Sequence, residues 1–156
     1  MVERIVVGLL YTNAYIFSSH KKECYIIDPG GNVKDIIARL NIKNLIPKGI
    51  LCTHGHLDHV AGVGQLKEHY LQKGIELKVA IHKADAHYLG SKARDSHKRS
   101  FNDFGPEGME YFKTIFSKLP EPDLLLNDGD IAFDSALKTL YTPGHTAGSV
   151  SFYSEN

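Results

Sequence analysis

The chain has 156 residues, of which 42% are hydrophobic and 23% charged, enough for one globular domain with a real core. Eighteen basic residues offset eighteen acidic ones. No overall field draws in nucleic acid or a membrane surface, so the expected partner is a small molecule. No apolar run reaches the ~18 residues of a membrane helix, and the run at residues 5–10 is too short and too early for an export signal.

In chain order, residues 2–10 and 14–18 read as strands joined by Tyr11-Thr12-Asn13, and residues 18–22 as a polar turn. Residues 24–28 form a third strand, apolar until Asp28. Pro29-Gly30-Gly31 breaks the chain, and Asn32 is placed to cap a helix with Ile36, Ile37 and Leu40 on one face. Residues 49–53 are a buried strand. A helix is expected from about residue 60 to Lys73, closed by Gly74, with Val63, Leu66 and Tyr70 inward. Residues 77–81 read as a strand, 84–90 as a short helix and 91–105 as a polar loop over the site. Pro106 opens a helix to about Leu119, which Pro120 and Pro122 end. After the turn Asn127-Asp128-Gly129-Asp130, residues 131–133, 137–141 and 149–153 read as strands. Strands alternating with helices predict an α/β fold, with ligands at the carboxyl ends of the strands. Cys24 and Cys52 sit in apolar strands and read as buried free thiols, which fits a reducing cytoplasm.

The densest chemistry is Thr53-His54-Gly55-His56-Leu57-Asp58-His59, with three histidines and one aspartate within six residues. Imidazole and carboxylate suit zinc and similar divalent ions. His54 and His56 can reach one ion from a loop, while Asp58 and His59 point elsewhere once the chain turns helical. Two adjacent metal positions follow. Asp28 reads as shaping the loop or supporting the ligands rather than ligating. His82 reads as a hydrogen-bonded structural histidine. His20, His69, His87 and His97 read as surface or loop residues. Lys92, Arg94, Lys98 and Arg99 read as a solvated face that can meet an anionic substrate.

T-H-G-H-L-D-H resembles the metal signature of the metallo-β-lactamase fold. Asp28-Pro29-Gly30-Gly31 upstream and Thr142-Pro143-Gly144-His145-Thr146 downstream match it in order. The chain is most similar to the glyoxalase-II-like (hydroxyacylglutathione hydrolase-like) branch. The resemblance implies an αββα sandwich spanning residues 1–156. It implies His54, His56 and His145 as ligands of a first metal, and Asp58 and His59 of a second. Zinc is the expected ion, with iron or manganese as alternatives. The implied reaction is attack of metal-activated water on a thioester carbonyl, Asp58 orienting the nucleophile or taking its proton. The implied substrate is a glutathione thioester. An iron-dependent persulfide dioxygenase and an inactive metal-binding chain are the alternatives. The family's next strand ends in an aspartate that bridges the metals, and a later histidine completes the second position. Neither is in this sequence. The expectation is therefore a domain without its C-terminal part, holding at most one metal and prone to form a homo-oligomer.

Overall fold

Six strands lie side by side in chain order: β1 (Val2–Val7), β2 (Thr12–Phe17), β3 (Glu23–Ile27), β4 (Ile46–Leu51), β5 (Lys78–His82) and β6 (Leu124–Leu126). The structure, a computed structural model, describes residues 1–19 and 22–155. β1, β2 and β3 pair antiparallel, and β3 to β6 run parallel. Each parallel step needs a crossover, and helices supply it. α1 (Val33–Ile42) joins β3 to β4. α2 (Leu57–Val60) and α3 (Val63–Leu71) join β4 to β5. α4 (Ala93–Asn102) and α5 (Gly105–Ile115) lie between β5 and β6. A separate antiparallel ribbon, β7 (Lys138–Tyr141) with β8 (Val150–Tyr153), follows.

The strands alternate between two apolar layers, as a period of two requires when both faces are covered. Cys24, Ile26, Ile50, Cys52, Val79 and Ile81 pack with Ile36, Leu40, Val63, Leu66 and Phe112 of the helices. Tyr25, Ile27, Leu51 and Ala80 point the other way, onto Ala132 and Leu137. The layer order is helices, large sheet, then the ribbon as the start of a second sheet. This is the expected mixed α/β fold. Both cysteines are buried free thiols, and burial pushes Cys24 up to about 12 and Cys52 well above its ordinary range.

Several local expectations need correction. The first strand stops at Val7, because Gly8 (φ 68°) and Tyr11 (φ 55°) turn the backbone, and Thr12 already belongs to β2. Asn32 precedes α1 in a left-handed conformation and makes no side-chain cap. Its carboxamide instead accepts from Gly8 N at 2.8 Å and donates to Asp35 at 2.9 Å. β4 ends at Leu51, which leaves Cys52 to Gly55 free as a loop. The helix after it starts at Leu57, so Asp58 and His59 are helical, and it is interrupted where Gly62 N donates to Pro29 O at 2.8 Å. Residues 83–88 form a 3-10 helix.

The expected loop at 91–105 is mostly α4. Its buried stripe is Ala93, Ser96 and His97 at helical spacing, too polar for a hydrophobicity pattern to show. α5 stops at Ile115, where Phe116 turns extended. Residues 131–133 contribute one bridge, Ile131 to Lys138, because Phe133 (φ 55°) leaves strand geometry. His20 and part of the expected turn at 18–22 lie outside the described residues. Among the described residues no helix is long and apolar enough to cross a membrane.

Candidate metal centre

The carboxyl ends of β3, β4 and β5 bring the expected residues together, as strand-end topology predicts. β3 delivers Asp28, which leaves the strand at φ 50°. β4 delivers the loop with Thr53, His54 and His56, and α2 carries Asp58 and His59. The 3-10 segment after β5 delivers Asp85. His145 arrives from the loop between β7 and β8, whose end is tied down by Val150 N donating to Thr53 O at 2.8 Å. Close approach of two backbones is needed at Gly30, where a Cβ would lie 1.4 Å from Asp58 O.

His54, His56 and His145 each offer a ring nitrogen within 4.8 Å of the others. His56 Nδ1 and His145 Nε2 are 2.9 Å apart. Two nitrogens at about 2.0–2.1 Å from a tetrahedral zinc sit roughly 3.3 Å apart, so this pair is nearly at ligand spacing. His54 is buried, and its Nε2 has no hydrogen-bond partner. A buried, unpartnered imidazole nitrogen calls for an explanation, and a cation shared with ring nitrogens of His56 and His145 supplies one. Burial pushes His54 down to about 4, and His59, His56 and His145 nearby add to the effect. Burial, then His145, lowers His56 as well. Neutral imidazoles are what a metal needs. The residues present therefore fit a divalent ion.

Asp28 organises this set. Its Oδ1 accepts from Thr53 N at 2.7 Å, and its Oδ2 accepts from Thr53 Oγ1 at 2.6 Å. With its proton given to Asp28, Thr53 Oγ1 must accept from His54 Nδ1, 3.0 Å away. The remaining nitrogen of His54, Nε2, then carries a lone pair. Asp28 Oδ2 also faces His59 Nδ1 at 3.0 Å, which leaves His59 Nε2 near Asp58 Oδ2 at 3.4 Å. Burial alone would lower His59, but the hydrogen bond and charge of Asp28 outweigh it and raise the group. Asp28, His54 and His59 also cluster within 4.8 Å. The Asp28 oxygens are already taken by those contacts, so it supports ligands rather than joining them.

Two further participants belong to no motif of the sequence. Thr12 Oγ1 donates to Asp58 Oδ2 at 2.7 Å and fixes that carboxylate. Asp85, fully buried, accepts from Gly55 N at 2.9 Å, Thr146 Oγ1 at 2.7 Å and Gly148 N at 2.7 Å. It latches the His54–His56 loop to the His145 loop. Its only sequence signal was an acidic residue just past a parallel strand, the same signal as Asp28. His82 is buried, accepts from Ala84 N at 3.3 Å and stacks on Tyr141, a structural role as expected. His87 is exposed. His97 is not a surface residue: it is 1% exposed, its Nε2 lies 2.9 Å from Tyr88 O, and burial pushes it down to about 4.

A family model described as the metallo-beta-lactamase superfamily matches residues 7–156. The chain is 34% identical over 151 residues to a probable metallo-hydrolase, YqgX, of Bacillus subtilis, covering 96% of this chain and 64% of that protein. It is 32% identical over 151 residues to hydroxyacylglutathione hydrolase GloC of Haemophilus influenzae, covering 97% of this chain and 65% of that one. Its fold matches the BLEG-1 B3 metallo-beta-lactamase with a TM-score of 0.78 at 29% identity, over 99% of this chain and 68% of that chain. It matches TTHA1623, solved in a di-iron-bound form, with a TM-score of 0.69 at 27% identity, over 97% of this chain and 66% of that chain. The chain thus spans 64% and 65% of the length of these two curated relatives. A family match over nearly the whole chain, with the layered fold and the histidine cluster beneath it, shows that the chain belongs to the metallo-beta-lactamase superfamily.

Proposed function

We propose that this protein is a metal-dependent hydrolase whose substrate is the thioester of a small thiol. Glutathione is the thiol favoured by its similarity to a hydroxyacylglutathione hydrolase. The observation that carries the reading is the convergence of His54, His56 and His145 around the buried, unpartnered Nε2 of His54. A divalent ion held there supplies Lewis-acid activation of water and of a carbonyl. A three-nitrogen donor set favours zinc. The di-iron form of TTHA1623 makes iron the alternative to be distinguished, and an iron centre would favour the persulfide dioxygenase reading.

The chain's own residues then divide the work. Thr53 and Asp28 hold the His54 tautomer, and Asp28 holds that of His59. Asp58, steadied by Thr12, is placed to orient the attacking water or to take its proton. A thiolate is a good leaving group, so no strong general acid is required. Asp58 and His59 are the protein donors for a second ion. Among the described residues, the two groups that form a candidate metal cluster with His59 are the occupied Asp28 and the shared His54.

The test is elemental analysis and hydrolysis of a 2-hydroxyacyl glutathione thioester by wild type, His56→Ala and His87→Ala. Metal and hydrolysis should be lost in His56→Ala, and the metal kept in His87→Ala. Full zinc content in His56→Ala would overturn the ligand assignment, and a metal-loaded wild type inert toward thioesters would overturn the substrate class.

A further inference from the structure

A cavity shares a wall with the histidine cluster. The Tyr88 ring meets His56 edge-on, with ring centroids 5.9 Å apart. The same residue lines a cavity of about 500 Å³ with His87, Lys92, Asp95 and Arg99. That is the size of a small-ligand pocket, about 300–1,000 Å³. Three serine hydroxyls, Ser91, Ser96 and Ser100, complete its lining.

The charges in this cavity are not used by the fold. Arg94, their neighbour, spends its guanidinium over the rings of Phe112 and Phe116. Lys92 and Arg99 make no ion pair among the described residues, and neither does Asp95. Arg99 Nε is turned to Asp95 O at 3.3 Å, which leaves its terminal nitrogens available. The cavity therefore offers two cations and one carboxylate. The complementary ligand carries two carboxylates and one ammonium, and glutathione has that set of groups.

We propose that this cavity is the subsite for the charged tripeptide half of a glutathione thioester. Lys92 and Arg99 take its carboxylates, Asp95 takes its ammonium, and the thioester passes Tyr88 to reach the histidines. The substrate class rests on the thioesterase reading, but the test does not depend on turnover.

The test is calorimetric titration of the whole chain with S-methylglutathione, a thioether with no bond to hydrolyse. Wild type should bind it. Arg99→Gln, Lys92→Gln and Asp95→Asn should each weaken binding by about three- to fivefold, the range for a solvent-exposed ion pair. Lys34→Gln, which removes an exposed charge from α1, should leave affinity unchanged. The diethyl ester of the probe should bind more weakly to wild type and be indifferent to Arg99→Gln. No binding to wild type, or equal affinity in Arg99→Gln, Lys92→Gln and Lys34→Gln, would sink the subsite. Binding that follows this pattern without thioester hydrolysis would support the subsite and remove the thioesterase reading.

Discussion

At the scale of single residues, the centre depends on side chains that are not themselves candidate ligands. Thr53 is the link between Asp28 and His54. Thr53→Val keeps the shape and removes the hydroxyl. His54 is then free to take the tautomer that puts a proton on Nε2. Metal affinity should fall by about 10- to 100-fold, as for other lost supports of metal-bound histidines. Thr53→Ser should restore it. A chelator-competition titration that finds Thr53→Val equal to wild type would show that the relay does not matter. Asp85 is a second such residue. Asp85→Ala leaves the buried N–H groups of Gly55 and Gly148 without their acceptor, while the Thr146 hydroxyl can turn to Ser149 Oγ, 2.8 Å away. At roughly 1–3 kcal/mol for each unsatisfied group, the loss should be at least about 2 kcal/mol in urea unfolding. The conservative Asp85→Asn should lose less.

At the scale of elements, α4 shows how a polar helix is kept in place. It buries Ala93, Ser96 and His97, and His97 is held in its neutral form. The folded group sits near 4 against an ordinary 6.5, so the unfolded chain binds the extra proton as pH falls between these values. Stability of the metal-free protein should therefore drop across this window, by about 2–3 kcal/mol from His97 once pH reaches about 4.5. His54 acts in the same direction, and the raised His59 opposes both. His97→Gln can still donate to Tyr88 O but does not titrate. Its urea midpoints at pH 7 and pH 4.5 should lie closer together than those of wild type. An equal acid loss in the two proteins would mean that His97 is not the sensor.

At the scale of the whole molecule, the two apolar layers are unequally closed. The helix side is covered by α1 to α5, whereas the other side is covered by little more than β7 and β8. β6 pairs only with β5, and β8 only with β7, so both leave an edge open among the described residues. Leu125, Ile131, Leu140, Tyr141 and Tyr153 are exposed on and around these elements. Open edges and apolar surface favour pairing with another copy. Sedimentation should show association that grows with concentration, and a single monomer species at high concentration would contradict this. The same 156 residues should hold at most about one tight metal ion per chain. In the proposed assignment His54, His56 and His145 serve one position, whereas among the described residues Asp58 and His59 would give a second ion only two donors of the ~four that such ions take. Elemental analysis near two per chain would overturn that count.

The candidate metal residues of one loop are legible in the sequence because their chemistry is local. His54, His56, Asp58 and His59 are neighbours in the chain, and no fold is needed to see that such a loop suits a cation. The sheet was legible for a similar reason, since the apolar runs of β3, β4 and β5 are short and bounded by turn residues. What the tertiary structure decided was everything that depends on partners distant in sequence. Asp85 meets Thr146 and Gly148 across a separation of more than sixty residues. Thr12, in β2, reaches Asp58 in α2. α4 is a helix because its small and imidazole stripe is buried against other elements, which hydrophobic periodicity does not register. Burial sets the protonation of His54 and His97, and burial is a property of the folded neighbourhood rather than of the residue.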